Sequence, residues 1–356
     1  MSERLVLHDR HASAGAKFDV VADRELPVAY GDTRAEYRAA RRAVAIVDKS
    51  FDGVVEVTGR DRASFLHALL SNDVKSLASG QGCAAALLDV HGKVRVLLRV
   101  LALEDRMLAL TPPGMGAKTV EALDAYLFSE KAALRDATGE LALLMLVGPE
   151  APALAERLAG ARPDDTRWSS KRGSVAGAEV RLVRGGGESG EHEVWILVRA
   201  GDAGAVWDAA VAAGARPLGT AAFETLRVEA GTPLYGHDVD ERVLLPEIPT
   251  SDLVSHTKGC YVGQEVVVRI RDRGHVNRLL RGLKLGGARV PDAGAPVFAD
   301  DRQIGAVSSA TWSLGLDKPI ALALVRREYA EPGTAVTVLV ADARIPAEVT
   351  ALPFAR

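Results

Sequence analysis

Cysteine is nearly absent from this chain, which has only two such residues, Cys83 and Cys260, in 356 positions. Two cysteines this far apart do not indicate a disulfide framework or a C-x-x-C metal site. Long apolar runs are also missing, since no segment approaches the roughly 20 uncharged apolar residues of a membrane-spanning helix. The N-terminus carries charges throughout and lacks the apolar stretch of a signal peptide. We therefore expect a cytoplasmic protein with no metal site and no membrane partner.

Strong charge of either sign is absent as well, because the formal net charge is only −3. That balance argues against a strongly basic nucleic-acid-binding protein. The sequence also lacks a P-loop, an H-E-x-x-H zinc motif, a dinucleotide fingerprint and a G-x-S-x-G hydrolase elbow. What remains is an ordinary globular composition, with 48% apolar and 26% charged residues.

The length is too great for one ordinary hydrophobic core, so we expect more than one domain. Helix and strand patterns mix without strict βαβ order up to Gly274, which predicts α+β lobes. Beyond Gly274 six short strand patterns follow one another without helices, which is typical of a small barrel or sandwich. We therefore predict two regions, residues 1–274 and 275–356.

Local signals predict several element ends within the first region. The apolar run 141–147 predicts a strand, and Thr33 with Glu36 predicts a capping box at a helix start. A helix that begins at Gly219-Thr220 is expected to end at Gly231, because glycine is the residue that best adopts the left-handed cap conformation.

The most informative segment is the octapeptide 258–265, K-G-C-Y-V-G-Q-E, which contains Cys260 between two glycines. A helix pattern follows from Gln264 to Ile270. A helix N-terminus and a nearby cation, here Lys258, both favour a thiolate over a thiol. We therefore regard Cys260 as a candidate functional thiol and Lys258 as its partner; the alternative is a buried cysteine that acts as a small apolar residue.

This octapeptide resembles the signature of the YgfZ family, folate-binding proteins involved in making or maintaining iron–sulfur proteins. That family is related to the aminomethyltransferase, or T-protein, of the glycine cleavage system. Residues 226–238 and 71–81 resemble two further blocks that both groups share. The resemblance implies an α+β, T-protein-like fold, with two interleaved α+β lobes followed by a C-terminal β-barrel. It also implies tetrahydrofolate or a derivative in the central opening, and iron–sulfur client or assembly proteins as partners.

The resemblance further implies residues that contact the folate. Arg227 would donate paired hydrogen bonds to a carboxylate or a pterin edge, and Glu193 would accept from the amino group and ring N–H of a pterin. The other folate-site residues that we predict are Asn72, Asp73, Glu229, Tyr261 and Gln264.

Each of these assignments has a structural alternative. Asn72 and Asp73 follow a helix and are common turn formers. Arg227 with Glu229 could be a solvated pair, and Glu193 could be an exposed residue of an edge strand.

Five arginines, Arg269, Arg271, Arg273, Arg278 and Arg281, follow the octapeptide. They could meet an anionic folate tail or an RNA phosphate. The alternative is that basic residues in the last turn of a helix balance its dipole.

One departure from the T-protein pattern bears on activity. Val96 and Leu97 occupy the positions where the T-protein has an acidic pair associated with its methylene transfer chemistry. A carboxylate that could steer an amine is therefore missing there, and the sequence leaves open whether the chain is an enzyme. Three hypotheses follow: an accessory factor for iron–sulfur proteins with Cys260 as its working thiol, a tetrahydrofolate-dependent one-carbon transferase of the aminomethyl type, and a folate-binding module that docks a client protein.

Overall fold

The computed structural model describes residues 3–21 and 23–354. The first elements are β1 (Glu3–Arg4), α1 (His8–Ser13), β2 (Lys17–Val21), β3 (Arg24–Ala29), α2 (Thr33–Arg42), β4 (Ala45–Asp48), β5 (Gly53–Thr58), α3 (Arg62–Leu69), β6 (Gly82–Leu88), β7 (Val94–Ala102), β8 (Met107–Thr111), α4 (Gly116–Asp124) and β9 (Ala133–Asp136). The next are β10 (Leu141–Val147), α5 (Ala151–Ala159), β11 (Ser170–Val175), β12 (Ala178–Arg184), β13 (Glu193–Arg199), α6 (Ala203–Ala212), β14 (Arg216–Pro217), α7 (Thr220–Ala230) and α8 (Gln264–Arg273). The last are β15 (Arg278–Leu285), β16 (Pro296–Ala299), β17 (Arg302–Ser313), β18 (Lys318–Arg326), β19 (Ala335–Val340) and β20 (Ala343–Thr350).

Two larger sheets form the body of the first region. A six-stranded sheet has the order β11-β12-β13-β10-β4-β14, and a five-stranded sheet has the order β6-β7-β8-β5-β9. The chain enters the first sheet at β4, builds the whole of the second sheet, and then returns to the first at β10. The predicted interleaving of two α+β lobes is therefore confirmed. The N-terminal segment forms a third, small sheet of order β1-β3-β2.

Strand β10 shows why an uninterrupted apolar run forms a strand here. Ala142, Leu144 and Leu146 belong to one apolar cluster, on the side of α5 and α6, whereas Leu143 and Met145 belong to the cluster on the other face. Alternate side chains of a strand point to opposite faces, so a strand that is buried on both faces must be apolar at every position. The predicted strand is confirmed.

The predicted capping box at Thr33 is wrong in its details. Helix α2 does begin at Thr33, but Asp32 is the capping residue and accepts from the backbone N–H of Arg34 at 2.9 Å. Glu36 is fully buried and accepts from Tyr30 N and Gly219 N instead. Its carboxylate thus joins α2 to the start of α7. Helix α7 ends at Gly231, which has φ of +71°, as predicted.

The last six strands close into a barrel of order β15-β18-β17-β16-β19-β20, so the barrel and not the sandwich is correct. Small and branched apolar side chains fill its interior, including Leu283, Val297, Ala323 and Val338. The barrel begins after Gly274, where we propose the boundary between the two regions; their outer ends, 1–2 and 355–356, lie outside the described residues.

Helix α8 packs against the turn between β6 and β7. Gly263 precedes the helix with φ of +80°, and a Cβ placed there would lie 2.5 Å from Asp89 O. On the other side, a Cβ at Gly92 would lie 3.1 Å from the side chain of Val266. These two glycines allow the helix and the turn to approach closely. The predicted end of the helix at Ile270 is too early, since α8 continues to Arg273.

We expect Gly263→Ala to lower the free energy of unfolding by about 1–3 kcal/mol, because it adds a Cβ to a left-handed residue that already touches backbone. Gly259→Ala is the matched control in the same octapeptide, since nothing lies within 4 Å of its Cβ position. Urea denaturation of both variants provides the measurement. Equal stability of the two would contradict close packing of Gly263.

Candidate functional site

A central cavity of about 830 Å³ lies between the two lobes and the end of the chain. Its wall comes from β7 at residues 97–99, the loop 184–192, the end of α7 with residues 229–233, the loop 249–253 and the C-terminal segment 352–354. Trp168 and Leu97 contribute apolar surface. This size is typical of a site for one drug-sized ligand.

A buried carboxylate, Glu188, lies in this wall and is held by two cations. Its Oε1 is 3.1 Å from Lys49 Nζ, and its Oε2 is 3.3 Å from Arg99 Nη2. Burial opposes ionisation of Glu188, but the attraction of Lys49 and Arg99 outweighs burial and lowers the pKa of this carboxyl below its ordinary value. Glu188 therefore presents a charged acceptor at the cavity.

Aromatic rings lie beside this carboxylate. The guanidinium of Arg99 is 5.8 Å from the ring centre of Trp168 and 5.9 Å from that of Trp195, distances at which a cation is attracted to an aromatic face. Trp195 Nε1 is buried without a hydrogen-bond partner among the described residues, behind Gly185 of the cavity wall. The wall therefore combines a charged acceptor with the flat apolar surface of Trp168, whereas Trp195 is fully buried and is not in the lining.

Lys49 also has a second carboxylate neighbour, because its Nζ lies 3.8 Å from Asp52 Oδ2. Burial raises the pKa of Asp52 to about 6, against the opposing attraction of Lys49. The folded state then binds more protons than the unfolded state between about pH 4 and pH 6, so stability falls as the pH rises through that window.

The corresponding test is Asp52→Asn. Between pH 4.5 and pH 7.5 the free energy of unfolding should fall by about 1–2 kcal/mol less in this variant than in the unmodified protein. The reason is that asparagine does not titrate, so the contribution of the raised pKa is removed. Urea unfolding at the two pH values measures the difference. Asp292→Asn, at an exposed position, is the control and should leave the pH dependence unchanged. If the free energy of unfolding of Asp52→Asn depended on pH as it does in the unmodified protein, Asp52 would have an ordinary pKa in the folded state.

Arg227 is buried below the cavity and its donors are already used. The side chain is 2% exposed, and its five N–H groups donate to Glu224 twice, to Thr232 O, to Asp238 and to Ser309. It is not one of the residues that line the cavity. A direct bond to folate would require one of these bonds to break, so we now propose a structural role for Arg227. The alternative of a solvated surface pair is wrong.

Glu229 borders the cavity but binds other parts of the protein. It accepts from Tyr37 Oη at 2.7 Å and from Arg41, both on α2, and from Ser313 Oγ and the Gly315 backbone N–H of the barrel. Its carboxylate therefore connects a lobe helix to the barrel.

Glu193 is fully buried at the start of β13, so the expectation of an exposed edge-strand residue is wrong. Its Oε1 accepts from the backbone N–H and the hydroxyl of Ser189, and its Oε2 accepts from Gly187 N at 3.0 Å. Burial and the neighbouring Glu188 raise the pKa of Glu193, although these hydrogen bonds oppose the increase. Glu193 holds the cavity loop in place, and its carboxylate does not line the cavity.

The octapeptide lies apart from the central cavity, since none of residues 258–265 is in the described lining. Lys258 Nζ donates to the carbonyls of His67 and Leu70 at the end of α3, and burial lowers its pKa to about 8. Tyr261 is 7% exposed and packs in an apolar cluster with barrel residues. Gln264 is the partly buried first residue of α8.

Asn72 and Asp73 lie next to this segment and form turn contacts. Asn72 Nδ2 donates to Ala84 O at 2.8 Å and to Asp252 O at 3.0 Å, which ties the loop at 252 to β6. Asp73 Oδ1 accepts from Ser76 N and lies 3.1 Å from His67 Nδ1. These contacts fit the turn-forming alternative.

The two cysteines differ in environment. Cys260 is exposed, whereas Cys83 is partly buried in an apolar cluster and burial raises its pKa to about 12. Alkylation with iodoacetamide requires the thiolate and access. We expect Cys260 to react at least 10-fold faster than Cys83 between pH 7 and pH 9, and peptide mass spectrometry measures both rates in one sample. Equal rates would show that Cys83 is as accessible as Cys260.

Sequence reasoning missed Arg99, Glu188 and Trp168 of the cavity wall. The run Gly185–Gly187 directly before Glu188 is a signal that could have found this wall, because glycines allow backbone to lie close to an open space. Among the described residues, no helix is long and apolar enough to cross a membrane, and no group of three or more His, Cys, Asp or Glu side chains is arranged to hold a metal ion.

Family comparisons cover both regions of the chain. Residues 7–258 match the GCVT N-terminal domain, and residues 278–355 match the glycine cleavage T-protein C-terminal barrel domain. The aminomethyltransferase of Streptomyces avermitilis is 33% identical over 97% of this chain and 95% of its own length. That of Rubrobacter xylanophilus is also 33% identical, over 99% of this chain and 94% of its own length.

A solved structure shares the fold. The glycine cleavage system aminomethyltransferase T from Bartonella henselae superposes with a TM-score of 0.90, at 24% identity, over 100% of this chain and 98% of its own. The predicted T-protein-like fold is thus confirmed. Aminomethyltransferases of this family use tetrahydrofolate, so the expected cofactor is confirmed as that of the family. By the match of both regions and these relatives, the chain belongs to the aminomethyltransferase family of the glycine cleavage T-protein.

Proposed function

We propose that this chain binds a reduced folate in the central cavity and transfers a one-carbon unit to or from it. The observation that carries this proposal is the cavity wall itself, which presents the charged Glu188 beside the apolar surface of Trp168 and Leu97. A pterin suits such a wall, because its amino group and ring N–H can donate to a carboxylate while its flat ring packs on apolar surface. Glu188 thus replaces Glu193 as the carboxylate that we assign to the ring.

The exposed side of the cavity suits the anionic end of a folate. Arg167 and Arg184 line it, and a guanidinium binds carboxylates through paired hydrogen bonds. Within the protein Arg167 pairs with Asp252, and Arg184 donates to the Glu193 carbonyl at 3.1 Å. Either arginine could therefore exchange an internal partner for the ligand.

The amine chemistry is expected to differ from that of glycine cleavage. Strand β7 brings Leu97 to the cavity and buries Val96, so the strand presents no carboxylate there. We expect no ammonia above background from tetrahydrofolate and an aminomethyl-loaded lipoyl carrier. Turnover at about 1–10³ per second would show that another carboxylate replaces the missing pair.

The test of the proposed function has two stages. Calorimetry with tetrahydrofolate should show binding in the micromolar range, about −8 kcal/mol. Incubation of the folate-loaded protein with candidate donors whose carbon is already at the formaldehyde oxidation level, such as methylene iminium compounds, should then yield methylene-tetrahydrofolate and release the free amine, both detected by mass spectrometry. The absence of binding would contradict the site, whereas binding without any product would contradict transfer and leave a folate-binding module.

A second candidate is an accessory function for iron–sulfur proteins, although the relatives named above are aminomethyltransferases and favour the transfer function. The observation that favours it is the exposure of Cys260 on a segment that Lys258 anchors, with open space around Gly259. Cells that lack the protein and lose iron–sulfur enzyme activity should regain it with the unmodified protein but not with Cys260→Ser. Rescue by Cys260→Ser would contradict a working thiol.

A further inference from the structure

A second cavity, of about 480 Å³, lies beside α8 and shares no lining residue with the central cavity. Four basic residues line it: Arg269 and Arg273 of α8, His91 of the β6–β7 turn, and His275 just after the helix. We call this cavity the basic pocket. Arg269 and Arg273 are four positions apart and thus project from the same helix face, one turn from each other.

The wall of the basic pocket is held in place by close packing. Val266 and Ile270 share this helix face and provide apolar surface together with Leu244. Val266 also touches the β6–β7 turn at Gly92, so the helix and the turn keep a fixed spacing. His91 and Arg269, which belong to these two elements, therefore face a shared space whose width does not depend on a flexible loop.

No carboxylate in the described lining of the basic pocket balances its charge, although Asp272 attracts Arg273 from outside the lining. Of the five arginines that follow the octapeptide, Arg271 pairs with Asp272 and Arg278 with Glu247, while Arg281 donates to backbone carbonyls. Among the described residues, Arg269 and Arg273 have no salt bridge, and no carboxylate is part of the lining. The alternative role for these arginines was to balance the dipole of helix α8. A single cation near the last turn would be enough for that role, so it does not explain why several basic residues line one pocket.

We propose that the basic pocket binds a small ligand with at least two phosphate or carboxylate groups. Each guanidinium can donate two parallel hydrogen bonds to one such group. The two side chains start roughly 5–6 Å apart on the helix, which suits neighbouring anionic groups of one molecule. Imidazoles add further N–H donors, and the apolar surface accepts the carbon part of the ligand. The site is independent of the central cavity and of the proposed transfer.

Calorimetry at low ionic strength with two probes tests this proposal: inorganic pyrophosphate and a tri-γ-glutamate peptide. Binding of pyrophosphate alone would identify a phosphate ligand, binding of the peptide alone a carboxylate ligand, and binding of both would fit the shared chemistry. Arg269→Gln and Arg273→Gln should each weaken binding at least 10-fold. Both variants should bind tetrahydrofolate like the unmodified protein.

Arg289→Gln is the matched control, because Arg289 is an exposed arginine of the barrel region outside the basic pocket. It should bind both probes with unchanged affinity. The proposal is overturned if neither probe binds more tightly than about 1 mM. It is also overturned if Arg289→Gln weakens binding as much as the two pocket variants, since binding would then reflect overall charge.

Discussion

Replacing Arg227 with methionine should lower the free energy of unfolding by about 3–5 kcal/mol, the range measured when one partner of a buried charge pair is removed. Methionine preserves much of the volume but none of the five donated hydrogen bonds. Asp238, whose side chain is fully buried, would keep its charge and lose its cation. Glu224 is 40% exposed and could turn to water, so Asp238 carries most of the expected loss.

Urea or thermal unfolding measures this effect, with Arg289→Met at an exposed position as the control. Arg227→Lys separates the structural role from ligand binding. A lysine keeps the charge but cannot supply the planar fork, so we expect it to be destabilising too. If Arg227→Met and Arg227→Lys both melt normally but fail to bind tetrahydrofolate, Arg227 contacts the ligand after all.

The second large effect is expected at Glu188. Glu188→Gln should weaken tetrahydrofolate binding by about 10–100-fold, because a hydrogen bond to a charged group contributes roughly 1.5–3 kcal/mol. The amide keeps the size of the side chain but removes the charge that Lys49 and Arg99 hold at the cavity. Calorimetry on the folded variant gives the affinity, and a melting curve verifies that it is folded.

Two comparison variants sharpen this result. Glu348→Gln, at an exposed position of the barrel, should bind folate normally. Glu193→Gln should mainly destabilise the cavity loop, since the amide replaces one of the two carboxyl oxygens that accept from Ser189 and Gly187. If Glu193→Gln lost folate affinity at full stability while Glu188→Gln bound normally, the pterin carboxylate would be Glu193, as the family resemblance first implied.

The sequence predicted those features that depend on local pattern. The apolar run 141–147 predicted a strand, Gly231 was expected as a left-handed cap, and six spaced strand patterns after Gly274 indicated a small barrel or sandwich, of which the structure shows the barrel. These features depend mainly on residues that are close in sequence, so the periodicity of apolar residues and the positions of glycines are enough to predict them.

Partners that are distant in sequence could not be predicted in this way. Arg227 meets Ser309, and Glu229 meets Tyr37, only because the barrel and α2 fold onto α7. Nothing in the spacing of Arg227 and Glu229 reveals that their hydrogen bonds are already used. Glu188 was missed for the same reason, since its cations Lys49 and Arg99 lie far from it in the sequence.

The contacts of Glu229 bear on how this protein loses its structure. One carboxylate joins α2, α7 and the barrel, and the Glu229 carbonyl accepts from Phe354 N near the end of the chain. We place the boundary between the two regions at Gly274 along the sequence, but in space both regions contact this buried residue. A nick at Gly274 would therefore not release an independent barrel, and the two regions should unfold in a single cooperative transition.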